Sequence, residues 1–111
     1  MHFQFLNWVK EIENDLKIQG ILTEYFVPDQ NIEESTLPNV AKTVDHHTEP
    51  CFVRVSVWRS RQMEFEVLDV QTGESLLWEY IDDIGETPSF QDILSGYFRL
   101  LKDGKSQRVE R

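Results

Sequence analysis

Asp45, His46 and His47, followed by Cys51, are the residues of this chain that come nearest to a metal-binding cluster. Adjacent histidines on a loop rarely aim both rings at one ion, and no second Cys or His pair completes a tetrahedral set. His2 is far off in sequence. The pair is therefore expected on a solvated loop, without a metal. Cys51 stands beside Pro50 at the start of a strand, the setting of a small buried hydrophobe rather than of a nucleophile. No Ser occupies a Gly-x-Ser-x-Gly setting, no glycine-rich loop could cradle a phosphate, and the five glycines are isolated turn or cap residues. Among 20 acidic side chains, a pair spaced for general acid and base work arises by coincidence. The sequence supports neither an enzyme nor a cofactor, which leaves binding as the chemistry to look for.

Composition narrows what could be bound. A chain of 111 residues, 40% apolar and 12% aromatic, is read as one folded domain over residues 1–111 with a single core. One Cys rules out an intramolecular disulfide and fits a reducing compartment. No run of 18 apolar residues and no signal peptide is present, so the expected location is the cytoplasm. A formal charge of −9 argues against nucleic acid and against anionic membrane surfaces, both of which select a basic face. The bases gather late, as Arg99, Lys102, Lys105, Arg108 and Arg111, so the body before them is strongly acidic. That acidity serves solubility, or it steers the chain towards a basic protein partner.

The elements that would carry a binding surface centre on Cys51 to Ile81. Val53, Val55 and Val57 alternate with Arg54 and Ser56, and Met63, Phe65 and Val67 alternate with Glu64 and Glu66. Period two marks strands with one covered face. The short break Arg59, Ser60, Arg61 and the turn Thr72-Gly73 join them and ESLLWEYI as antiparallel hairpins. Upstream, Phe5, Trp8, Val9, Ile12 and Leu16 recur at helical spacing over Phe3 to Ile18, with Gly20 as the stop. ILTEYFVP then reads as a strand of about seven residues ending at Pro28. Residues 29–50 read as a long variable loop, with Asn39 to Val44 able to add a short edge strand. After Tyr80, Phe90, Ile93, Leu94, Tyr97, Phe98 and Leu101 form one helical stripe, capped by Thr87 or by Ser89 with Asp92; residues 105–111 read as a frayed tail. The expected fold is α+β: a four-stranded antiparallel meander with N-terminal and C-terminal helices packed on one face.

Such a sheet leaves its other face open. With the valines turned to the helices, Phe52, Arg54, Ser56 and Trp58 point away, as do Glu64, Glu66 and Leu68. On the last strand either Leu77, Glu79 and Ile81 or Leu76, Trp78 and Tyr80 join them. A face mixing Trp, Arg and carboxylates has the composition of protein interfaces. Ordinary structure explains single members equally well: Arg54 can pair across strands with Glu64 or Glu66, and Trp58 can cap the hairpin end. Asp82 and Asp83, with Glu86, form an acidic corner where the last strand hands over to the final helix. The candidate partner-binding residues are Arg54, Trp58, Glu64, Glu66, Trp78, Asp82 and Asp83.

The opening FLNWVKEIENDLKIQGI, the core VRVSVWRSRQMEFEVLDVQTGESLLWEY and above all the run EVLDVQTGESLLWEY from Glu66 to Tyr80 resemble the TriTu family of bacterial immunity proteins. The resemblance spans most of the chain and implies an antidote. Its partner would be a cognate toxin domain of a secreted polymorphic effector, Rhs-type and delivered by type VI secretion. That toxin would be an ADP-ribosyltransferase acting on elongation factor Tu, bound one-to-one with its active site covered. The rival reading is a non-catalytic adaptor or self-associating domain whose open sheet face pairs with itself.

Overall fold

Alternation of apolar and polar residues builds a sheet with one buried side. In the computed structural model, which describes residues 1–26 and 39–103, the strands are β1 (Leu22–Tyr25), β2 (Ala41–His47), β3 (Cys51–Trp58), β4 (Met63–Asp69) and β5 (Ser75–Ile81). They lie side by side in chain order, each antiparallel to the next. Cys51, Val53, Val55 and Val57 are fully buried, and Val67, Phe65 and Met63 lie opposite the three valines on the same side.

The sheet has five strands rather than the expected four. The extra strand is β2, taken from the segment read as a loop, and it runs between β1 and β3 as an interior strand instead of a short edge. Its polar residues find partners on its neighbours: Thr43 Oγ1 lies 2.7 Å from Ser56 Oγ, and Asp45 pairs with Arg54. His46, expected in solvent, is fully buried, and its Nδ1 is 3.1 Å from Thr23 Oγ1. β1 spans four described residues and pairs with β2, not with the later meander; the expected end at Pro28 lies outside the described residues. Residues 29–38 and the expected tail 105–111 lie outside the described residues.

α1 (His2–Ile18) has the expected amphipathic register, burying Phe5, Val9 and Leu16. Its end is a Schellman closure: Ile21 N donates to Leu16 O at 2.8 Å and Gly20 N to Lys17 O at 3.0 Å. Gly20 takes φ +87, which a side chain would resist. The expected single C-terminal helix is two, α2 (Phe90–Ile93) and α3 (Ser95–Asp103). Ser89 caps α2, accepting from Asp92 N at 3.3 Å. The break at Leu94 follows from Ser95, whose Oγ donates to Asp92 O at 3.0 Å and offers the backbone a local alternative to the helix ladder. α1 lies against β1 to β3 and α3 against β3 and β4, so both long helices cover one face. Phe5, Phe65, Phe90, Leu94, Tyr97 and Leu101 join the sheet valines in one core.

Candidate functional site

The strand register decides which side chains share the uncovered face. Arg54 lies opposite Glu66, Glu66 opposite Trp78, and Glu64 between Ser56 and Tyr80. Trp58 ends the same alternation on β3. Arg54, Trp58, Glu64, Glu66 and Trp78 are thereby brought onto one face. The pairing shifts between Val67 and Leu68, inserting an extra residue at Leu76, so that Trp78 and Tyr80 turn outward while Leu77, Glu79 and Ile81 turn to the helix side. This resolves the two alternatives for the last strand in favour of the aromatic set.

Several of these side chains already have partners. Arg54 Nε and Nη2 donate to Asp45 Oδ1 and Oδ2 at 2.8 and 2.9 Å, a bidentate fork. The bond to Asp45 and its charge raise the Arg54 pKa further, so the guanidinium stays charged. Its expected cross-strand partner, Glu64 or Glu66, is replaced by a residue of the strand that was read as loop. Trp78 is 56% exposed, and its Nε1 donates to Glu64 Oε2 at 3.0 Å, tying the indole to β4. Trp58 is half-buried; its N donates to Gln62 O and its O accepts from Arg61 N, each at 3.0 Å, so it closes the β3–β4 hairpin.

The acidic corner lies at the Trp58 end of this face. Asp83 Oδ1 accepts from Gly85 N at 2.8 Å and sits 3.3 Å from Arg61 Nε, while Glu86 is 3.8 Å from Arg61 Nη1. Asp83 therefore helps to build the turn, whereas Asp82 is exposed beside it. Tyr80, 49% exposed, stands on the outer face with Trp78, as one of the two alternatives for the last strand has it, and joins the candidate residues. One feature escaped the sequence reading. From Met63 to Phe98 the chain has nine carboxylates and no Lys, Arg or His, so β4, β5 and the corner contribute only acidic charge, offset at the corner by Arg61 of the β3–β4 hairpin. Charge patterning alone could have found that run.

The reactive residue types lie elsewhere and are spent on structure. Burial holds the Cys51 thiol above its ordinary pKa, and Sγ donates to Leu100 O at 3.3 Å. Burial holds His46 down to about 4. Among the described residues no three His, Cys, Asp or Glu side chains group to hold a metal ion, and no described helix is long and apolar enough to cross a membrane.

The chain matches no curated protein and no solved structure. It does match the family model described as Immunity protein TriTu, over residues 3–100, which takes in α1, the whole sheet with its open face, and most of α3. The chain belongs to the TriTu immunity protein family.

Proposed function

We propose that this protein neutralises a cognate polymorphic toxin of the Rhs type, delivered by type VI secretion, whose ADP-ribosyltransferase domain acts on elongation factor Tu. It does so in the cytoplasm as a stoichiometric inhibitor, covering the toxin's active site in a one-to-one complex. The observation that carries this reading is membership of an immunity protein family over nearly the whole described chain. The contact surface is the uncovered sheet face with Arg54, Trp58, Glu64, Glu66 and Trp78, extended at one end by Asp82 and Asp83. Aromatic rings beside carboxylates on a rigid sheet suit protein capture, since little side-chain freedom is lost on docking.

Co-purification with the toxin domain encoded beside it, followed by NAD-dependent labelling of elongation factor Tu, tests the proposal. One-to-one binding with labelling abolished is expected. Glu64→Lys with Glu66→Lys should weaken binding about ten-fold or more; both carboxylates are half-buried and Glu64 accepts from Trp78 Nε1, so stability should fall by about 1 kcal/mol with the fold retained. If that pair is silent and Asp82 and Asp83 matter instead, the corner and not the face is the contact. Label removed from the factor over time without a complex would make the protein an enzyme and sink inhibition by occlusion.

A further inference from the structure

Among the described residues the sheet has two edges: β1, four residues long, and β5, seven residues long and paired there with β4 alone. The direction of each peptide group on β5 follows from the ladder. Trp58 N and O both bond within the β3–β4 hairpin, to Gln62 O and Arg61 N, so Trp58 turns its peptide groups towards β4. Antiparallel pairs alternate, so Ser56 and Arg54 do the same, answered by Glu64 and Glu66. Met63, Phe65 and Val67 then face β5, answered by Ile81, Glu79 and Leu77. Asp69 N, which donates to Glu74 O at 2.8 Å, keeps the same parity at the other end of the hairpin. The N–H and C=O groups of Trp78 and Tyr80 are left pointing off the sheet. Among the described residues no backbone group bonds to them, and Ile84 N donates to Arg61 O at 2.9 Å, drawing the connection across the sheet end.

Sheet edges that must stay unpaired are usually guarded by Lys, Pro or short length. SLLWEYI contains neither residue, and it displays Trp78 and Tyr80 beside the open backbone groups. Charge selects the occupant. A second copy laid antiparallel on β5 about Trp78 would set Glu74 against Asp82 and press two acidic edges together. A basic segment meets no such opposition.

We propose that the open edge of β5 captures an extended, Lys- or Arg-bearing segment of the toxin as an added strand. Main-chain bonds form at Trp78 and Tyr80, and basic side chains lie against Glu79 and Asp82. This rests on the reading that the chain binds a toxin domain, and it gives that reading a docking mode. Specificity then comes from the two aromatic side chains and the flanking carboxylates, while the backbone supplies adhesion.

Residue-resolved amide exchange on the free chain and on its one-to-one complex with the neighbouring toxin domain tests the docking mode. In the free chain the amides of Leu77, Glu79 and Ile81 should exchange slowly and those of Trp78 and Tyr80 fast. In the complex the latter two should slow by about a hundred-fold or more. Tyr80→Pro removes one outward N–H and leaves the β4 ladder intact, so it should weaken binding about ten-fold relative to Tyr80→Phe. Where Tyr80→Pro fails to fold, the exchange measurement on the unaltered chain decides. A complex with unchanged exchange at Trp78 and Tyr80 overturns the docking mode and leaves the inhibitor reading standing. A free chain that is dimeric with both amides already protected assigns the edge to a second copy and also overturns it. Absence of any complex overturns both readings.

Discussion

His46 occupies a core position that an aliphatic side chain would fill without polar atoms. Its ring packs against Tyr97 and Phe98, with centroids 5.9 and 5.8 Å away, and Thr23 meets only Nδ1. Nε2 and the neighbouring Tyr97 hydroxyl have no hydrogen-bond partner among the described residues. Desolvation dominates the His46 pKa and takes it to about 4, against opposing pulls from Asp45 and Glu13 and a minor assist from His47. Since the folded value lies below the ordinary 6.5, a proton binds the unfolded chain more tightly. The contribution of neutral His46 is full above that ordinary value and is lost as pH falls towards the folded one, with a limiting loss on the order of 3 kcal/mol. Urea midpoints at about pH 7.5 and about pH 5 should fall markedly for the native chain and less for His46→Leu. Equal falls would show that other groups set the acid response. The same residue explains a misreading: a histidine pair looks solvated until a strand buries one ring and leaves the other half-buried beside Glu24.

At the scale of elements, legibility followed how completely a strand's own residues announce its two faces. β3 and β4 do so through unbroken alternation, and the face that carries Arg54, Trp58, Glu64 and Glu66 could be read directly from it. β2 does not, because AKTVDHH has one aliphatic residue at its centre and fills its other inward positions with Lys42 and His46. Partners on both neighbours, Thr23 and Glu24 on β1 and Arg54 and Ser56 on β3, satisfy its polar residues, and a partner strand is not visible in the segment itself. Missing β2 also hid the partner of Arg54. On β5 the extra residue at Leu76 reverses the parity of everything after it, so alternation alone could not choose between Trp78 and Leu77. The helix break at Leu94 was equally hidden, since the apolar stripe runs through it and only the Ser95 side chain interrupts. Where alternation is clear, a substitution should respect it. Val55, fully buried between Val44 and Phe65 on the neighbouring strands, cannot accept a charge. Val55→Asp should cost more than about 3 kcal/mol and abolish cooperative urea unfolding at neutral pH. A variant with a native-like midpoint would mean that the sheet is held mainly by its hairpins rather than by this core.

Across the whole molecule, the charge is segregated along the sheet. Lys42 and Arg54 lie on β2 and β3, Arg59 and Arg61 lie in the β3–β4 hairpin with Arg61 against Asp83 and Glu86, and the chain from Met63 to Phe98 has no base of its own. The acidity is therefore directional at short range, strongest along the β5 edge with Glu79 and Asp82, where a basic partner would arrive. A field of this kind acts mainly on encounter, because it draws the partner in before short-range contacts form and changes little once they have. Its reach is set by salt, about 30 Å at 0.01 M and about 8 Å at 0.15 M, so the second condition confines it to the final approach. Between those two conditions the association rate with the toxin domain, followed by stopped-flow fluorescence of Trp78 and its neighbours, should fall about ten-fold or more, with dissociation nearly unchanged. Glu79→Gln with Asp82→Asn should reduce that salt dependence without unfolding the chain, since Asp82 and Glu79 are both exposed. A rate indifferent to salt would mean that the acidic flank keeps copies of this chain apart and does nothing to recruit its partner.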